Sequence, residues 1–197
     1  AIVGPTASGK TALAVELARR HNGEVVSADS MQIYRRMDIG SAKIRPAEMQ
    51  GVPHHLIDVL DPKEDFNVVL FQKMAKTAME DIWTRGHIPI LTGGTGFYIQ
   101  ALLYDIDFTE NEENVRVRAK LETQAIEEGP EALHARLAAV DPKAAEEIHA
   151  NNVKRVIRAL EYYELTGERI SGHNEEQREK TSPYNFAYFV LNDDREK

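Results

Sequence analysis

The sequence has no cysteine, a single tryptophan and a deficit of positive charge. Without cysteine there are no disulfides, no thiolate nucleophile and no thiolate-ligated zinc, so a secreted disulfide scaffold is excluded. Apolar runs are short, as at Val68-Val69-Leu70-Phe71. They fall far below the roughly 20 residues of a membrane-spanning helix, and no signal-peptide pattern is present. The seven histidines contain neither H-x-x-x-H nor H-E-x-x-H. The adjacent His54 and His55 would face opposite ways on a strand, which argues against a zinc site. With 24 Lys and Arg against 32 Asp and Glu, the formal net charge is −8. A polyanionic partner would therefore have to be met by local basic patches.

What is present suits a globular chain: 42% hydrophobic and 28% charged residues over 197 positions, enough for one generous domain or a compact domain with an insertion. The chain opens at Ala1-Ile2-Val3 directly before a glycine-rich turn and closes at Glu196-Lys197 just after an apolar run. Further chain is expected on both sides.

Residues 1–3 read as the tail of a buried strand. Residues 4–9 then form a loop, and a helix follows with Leu13, Leu17 and Ala18 at helical period and Gly23 as a left-handed cap. Residues 24–28 (EVVSA) read as a second strand closing at Asp29-Ser30, and residues 55–59 (HLIDV) as a weaker third. Asn67 is placed to cap a long helix with Phe71, Met74, Ala78 and Ile82 on one face, ended by Gly86. Trp83 is assigned to the core with Phe71 and Met74. Residues 88–92 (IPILT) form the most apolar strand, followed by Gly93-Gly94-Thr95-Gly96 and a helix over 97–104.

Alternating strands and helices predict an α/β fold: a P-loop NTPase-like parallel sheet flanked by helices, with ligands bound where the strands end. From Asp105 the pattern turns helical, over 114–128, 131–140, 142–149 and 153–166, which reads as a helical insertion. Residues 171–182 are polar and expected to be mobile, and residues 186–191 (FAYFVL) return to the sheet. This divides the chain into a catalytic core over 1–108, the insertion over 109–182 and a return strand over 183–197.

Gly4-Pro5-Thr6-Ala7-Ser8-Gly9-Lys10-Thr11 matches G-x-x-x-x-G-K-[ST] in full, between a strand and a helix. Such a loop turns backbone N–H groups toward phosphate oxygens, adds the positive end of a helix, and supplies Lys10 to the distal phosphate and the Thr11 hydroxyl to Mg²⁺. A hydrolase would close an apolar strand with an acid that helps hold Mg²⁺, yet residues 88–92 run into Thr-Gly-Gly. Asp29 and Asp58 remain as metal helpers. Asp29 also stands where such a sheet puts the base for an acceptor, or it merely caps the turn after its strand. Two basic clusters interrupt the acidic background: Arg116, Arg118 and Lys120, and Lys154, Arg155 and Arg158. In the second, Val153, Ile157 and Leu160 form the buried stripe, so the cations face outward, either as a solvated helix face or toward a partner.

Taken in order, GPTASGKT (4–11), SADSMQIYR (27–35), MDIGSAK (37–43), GVPHHLID (51–58), GGTGFY (93–98), VRVR (115–118), NNVKRVIRALE (151–161) and LNDDR (191–195) resemble the tRNA dimethylallyltransferases, the isopentenyl-transferring P-loop family. The resemblance implies transfer of a dimethylallyl group from dimethylallyl diphosphate to N6 of an adenine next to the tRNA anticodon. It implies that Gly4, Thr6, Ala7, Ser8, Gly9, Lys10 and Thr11 hold the diphosphate, with Thr11 on Mg²⁺, and that Arg195 returns to it from the last strand. Asp29 would be the base, while Ser30, Met31 and Gln32 would line the adenine pocket. Thr95, Arg116, Lys154, Arg155 and Arg158 would contact tRNA. A cytoplasmic monomer with no membrane partner is implied.

Ser41 stands where the family more often has Thr, and Asn152 where it more often has Asp; both keep a hydrogen-bonding side chain. Family members continue well past the equivalent of Lys197. The competing readings are a small-molecule P-loop kinase and an isopentenyltransferase acting on free adenine nucleotides. A GTPase-like switch would need an N/T-K-x-D motif, which is absent.

Overall fold

A computed structural model describes residues 1–5, 8–108 and 112–192. These divide into two compact units, the described residues within 1–107 together with 182–192, and those within 108–181.

The first unit holds β1 (Ile2–Val3), α1 (Lys10–His21), β2 (Gly23–Ser27), α2 (Pro46–Met49), β3 (His54–His55), α3 (Val68–Thr84), β4 (Ile88–Gly93), α4 (Gly96–Leu103) and, at its end, β5 (Phe189–Val190). All strand pairs are parallel, in the order β3-β2-β4-β1-β5. Every residue of β2 is buried, as expected of a strand covered on both faces. Successive residues feed opposite layers. Val25 and Ile90 pack with Ala14, Val15 and Ala18 of α1, whereas Val26 and Leu91 pack with Phe71, Ala75 and Ile82 of α3 and with Ile99 and Leu102 of α4. Asn67 caps α3 by accepting from the Leu70 N–H at 2.9 Å.

Several local expectations are corrected. The buried face of α1 is Ala14, Val15 and Ala18, with Leu13 and Leu17 at its margin. Asn22, not Gly23, takes the left-handed cap (φ 52°), and Gly23 opens β2. The third strand shrinks to His54–His55 because Leu56 (φ 63°) and Asp58 (φ 54°) leave the extended region. Residues 58–60 instead lie along 32–35, where Tyr34 and Leu60 bridge. Trp83 is 45% exposed, with its ring 5.9 Å from that of Tyr184, so it is not core. β5 is confined to two residues, both exposed at the sheet edge.

The second unit contains α5 (Glu112–Glu128), α6 (Pro130–Val140), α7 (Pro142–Glu147), α8 (Val153–Thr166) and α9 (Ile170–Glu179). Its own core joins Leu121, Leu133, Leu137, Ala144, Val156, Ile157, Ala159 and Leu160. The polar segment expected to be mobile is largely α9. Its start is held by Asp141, a buried carboxylate that caps α7 through the Ala144 N–H and accepts from both the N–H (2.9 Å) and Oγ (2.7 Å) of Ser171. Those three donors keep Asp141 ionised below the usual carboxylate range even though burial opposes it. Sequence periodicity cannot see such an anchor, since the polar helix carries little apolar pattern of its own.

Candidate active site

Register sets the site. Ile2 pairs with Thr92 and Val3 with Gly93, while Thr92 also pairs with Ser27. β1, β4 and β2 therefore end level, and the chain leaves all three at one sheet edge: into the loop after Gly4, into Gly94-Thr95, and into Ala28-Asp29.

In the loop after β1, Gly9 adopts φ 81° and passes the chain into α1, with Leu13 N–H reaching its carbonyl at 3.1 Å. The Lys10 ammonium donates to the Pro5 carbonyl. Burial lowers the Lys10 pKa, and the Asp29 carboxylate opposes the shift. That opposing field ties the loop and the end of β2 into one electrostatic site. Ser8 Oγ is buried with no hydrogen-bond partner, and Thr11, in the first turn of α1, makes no side-chain hydrogen bond among the described residues. Unengaged hydroxyl oxygens at a helix start fit a diphosphate and a hard cation such as Mg²⁺. Thr6, Ala7 and Arg195 lie outside the described residues.

Asp29 is half-buried. Its Oδ1 accepts from the N–H groups of Met31 (2.8 Å) and Gln32 (3.3 Å), so the capping reading of this residue holds. Its Oδ2 makes no hydrogen bond among the described residues, so one oxygen stays available for a proton. Thr95 Oγ1 accepts from the Ser30 N–H at 3.3 Å, which joins the turn after β4 to the Asp29 turn. Met31 is exposed. The Gln32 amide is already engaged: Oε1 faces Ser27 Oγ at 3.4 Å, and Nε2 donates to the carbonyls of Ser41 (3.4 Å) and Ala42 (3.2 Å).

The last residue of β4 has no room for a side chain. A Cβ on Gly93 would stand 2.1 Å from the Ala28 carbonyl oxygen. Thr92 Oγ1, one residue earlier, is buried without a partner among the described residues. Asp58 Oδ1 accepts from Lys43 at 2.6 Å. The two adjacent histidines do part, His54 Nδ1 to the Val52 carbonyl and His55 to Glu24. Glu24, 1% exposed, lies near the opposite end of β2 and is bound by Arg85, His55 and His87; Arg85 foremost, and the histidines after it, hold its carboxyl down to about 2 against burial. Sequence reasoning passed over Glu24. A charged residue inside a strand buried along its whole length was the available signal, since it demands cationic partners.

In the helical unit the first basic cluster splits. Arg118 pairs with the buried Glu161 (3.0 Å) and Lys120 with Glu164 (3.6 Å), both acids on α8. Arg116 is exposed and pairs with no acid among the described residues. Lys154, Arg155 and Arg158 likewise stand exposed on α8 with no ion pair among the described residues, while Val156, Ile157 and Leu160 are buried.

A glycine-rich loop between the first strand and first helix of a parallel sheet, with further loops converging at the same edge, defines a P-loop α/β protein. The IPP transferase family model matches residues 32–197. The chain is 60% identical to a tRNA dimethylallyltransferase of Lachnoclostridium phytofermentans over 99% of its own length and 62% of that protein. It is 50% identical to one of Acetivibrio thermocellus over 100% and 63%. Among solved structures, a eukaryotic dimethylallyltransferase acting on tRNA matches with TM-score 0.81 at 33% identity, over 96% of this chain and 47% of the other. A full-length tRNA isopentenylpyrophosphate transferase of Bacillus halodurans matches with TM-score 0.56 at 52% identity, over 85% and 55%. The chain belongs to the IPP transferase family. It spans a little over three-fifths of the length of those curated relatives.

Proposed function

We propose that the protein carrying this chain transfers a dimethylallyl group from dimethylallyl diphosphate to N6 of the adenine next to the anticodon of tRNA, releasing diphosphate. The observation that supports this most is the shared sheet edge: a phosphate loop and a carboxylate with one open oxygen meet there, and β4 ends in Thr92-Gly93-Gly94 with no acid.

An adenine amino group is a poor nucleophile because its lone pair is drawn into the ring. The allylic carbon must gain cationic character as its bond to diphosphate oxygen breaks and its bond to N6 forms. Catalysis then rests on stabilising the charge that builds on the leaving diphosphate. Lys10, the loop amides of Gly4 and Thr6 to Thr11, and Arg195 carry that task. Mg²⁺, held by the Thr11 hydroxyl, supplies further positive charge to the diphosphate when bound. Asp29 takes the N6 proton through Oδ2. Ser30 and Met31 line the adenine pocket, and Gln32 shapes it from behind, its amide being spent on Ser27, Ser41 and Ala42.

A base within an anticodon loop has to swing out to be reached, and Thr95, Arg116, Lys154, Arg155 and Arg158 hold the RNA while it does so. The unpaired cations of α8 favour this over a merely solvated helix face, since like charges at three- and four-residue spacing repel unless an anion answers them. No helix among the described residues is long and apolar enough to cross a membrane. We take the enzyme to act as a monomer in the cytoplasm, as the family resemblance implies.

The test is to incubate the full-length protein with labelled dimethylallyl diphosphate and either bulk tRNA or AMP. Label on tRNA supports the reading. Label on AMP alone moves the activity to free nucleotides, and turnover of ATP against a small acceptor moves it to a kinase.

A further inference from the structure

Lys43 is the most deeply covered cation in the first unit that the site has not used. Its side chain is 5% exposed, and its ammonium donates to three oxygens from three places in the chain: the Tyr34 carbonyl (2.8 Å), Asp38 Oδ1 (2.8 Å) and Asp58 Oδ1 (2.6 Å). Burial alone would push it down, but the two carboxylates outweigh burial and hold it above its ordinary range. It therefore stays charged wherever the enzyme works.

Asp58 passes this contact on. Its residue is fixed in a left-handed conformation (φ 54°), its N–H donates to the Gln32 carbonyl at 3.1 Å, and its own carbonyl accepts from Arg35 Nε at 2.9 Å. Gln32 in turn gives its N–H to Asp29 Oδ1 and its amide to the carbonyls of Ser41 and Ala42, the two residues before Lys43. A circuit thus runs from Lys43 through Asp58 to Gln32 and closes through the Ala42 carbonyl, with Asp29 joined to it by the Gln32 N–H. Ser41 Oγ tightens the same loop by donating to the Met37 carbonyl at 2.5 Å.

We propose that Lys43, acting through Asp58 and Gln32, is a positioning residue that fixes the Asp29 carboxylate for proton transfer on the acceptor side of the reaction. The assignment rests on the prenyl-transfer reading above. Among the described residues no hydrogen bond of the circuit reaches the phosphate loop, and Asp29 acts on Lys10 only through its charge, which both variants below leave in place, so loss of the circuit should fall on the acceptor half of the site. The carboxylate must be held to within a fraction of an ångström for its open oxygen to meet the amino group, and small misplacement costs rate steeply.

Lys43→Met keeps the buried stem and deletes the ammonium; Asp58→Asn removes only the charge at a half-exposed side chain. In the full-length protein, dimethylallyl diphosphate binding sites are titrated first, and kcat at saturating tRNA is expressed per binding site. Lys43→Met is expected to bind dimethylallyl diphosphate within twofold of wild type, with kcat per site down about tenfold or more; Asp58→Asn is expected to show a smaller loss in kcat. Lys43→Arg, which restores the positive charge, is expected to recover most of the rate. Global destabilisation would lower the number of binding sites and not the rate per site. Wild-type kcat per site in both variants overturns the proposal, as does a loss confined to KM for tRNA. Should Lys43→Met fail to fold, Asp58→Asn decides by the same criterion. If wild-type protein puts no label on tRNA, the prenyl-transfer reading falls and the assignment of Lys43 falls with it, whereas label from wild type with unchanged variants overturns the assignment alone.

Discussion

Gly93 and Ala28 touch backbone to backbone: Ala28 donates its N–H to the Thr92 carbonyl at 2.7 Å, and its own carbonyl oxygen sits where a Cβ on Gly93 would lie, 2.1 Å away. Asp29 is the next residue along. Gly93→Ala should push β2 and β4 apart at this level, lowering the melting temperature by several degrees, about 2 kcal/mol, and slowing transfer. Gly94→Ala, with nothing within 4 Å, should leave the melting temperature unchanged. Equal thermal shifts in the two variants would show that the close approach does not constrain the sheet.

Lys10→Ala should weaken dimethylallyl diphosphate binding and depress turnover together, because in the proposed reaction the ammonium would meet the diphosphate in both ground and transition states. Isothermal titration with dimethylallyl diphosphate checks the first and labelled-tRNA kinetics the second. Wild-type values for both would sink the phosphate-loop assignment.

Asp29→Asn retains an oxygen to accept from Met31 and Gln32, so the turn should stand, yet it removes the proton acceptor. A rate loss of roughly 10²-fold or more is expected, with diphosphate binding nearly unchanged. Collapse of diphosphate binding with rate intact at saturation would make Asp29 a metal helper instead.

Replacing Lys154, Arg155 and Arg158 by Gln should weaken tRNA binding and flatten its salt dependence by roughly two units of log K against log salt, leaving dimethylallyl diphosphate affinity alone. Lys120→Gln, whose cation is spent on Glu164, should barely change the slope. A triple variant with an unchanged slope would make α8 an ordinary solvated face.

Glu24 should make stability depend on pH. Its carboxyl lies near 2 in the folded chain against an ordinary 4.5, so its contribution is complete above about 4.5 and fades as pH falls toward 2. By linkage that contribution is about 3 kcal/mol. Denaturant midpoints of wild type should drop faster between pH 5 and 3 than those of Glu24→Gln, with the variant the less stable of the two at neutral pH. Parallel curves would mean that the ion pairs of Glu24 add nothing to the folded state.

The layers of the fold could be read from the chain because strand and helix periods are local: residues 88–92 and the capped helix after Asn67 needed no tertiary information. Short β3 and β5 were overestimated, since two backbone residues at positive φ ended one, and a parallel edge pairing of two residues leaves almost no pattern for the other. The phosphate loop was legible because eight consecutive residues carry its geometry. The hold on Asp29 was not, for it is assembled from residues 32, 43 and 58, whose contacts follow from how the segments cross. Likewise, Arg118 and Lys120 looked equivalent to Arg116 until α8 supplied acids for two of the three.

β1 has as its sheet neighbours β4 and, on the other side, β5 near the far end of the described chain. Such pairings between sequence-distant segments form late, because a long loop must close before they are rewarded. During synthesis the phosphate loop therefore emerges early but lacks one wall until Phe189 N–H reaches the Ala1 carbonyl and Leu191 N–H reaches that of Val3. The ribosome delivers the helical unit before that wall arrives. A truncated nascent chain stopping short of residue 189 would hold the whole motif yet only half its frame.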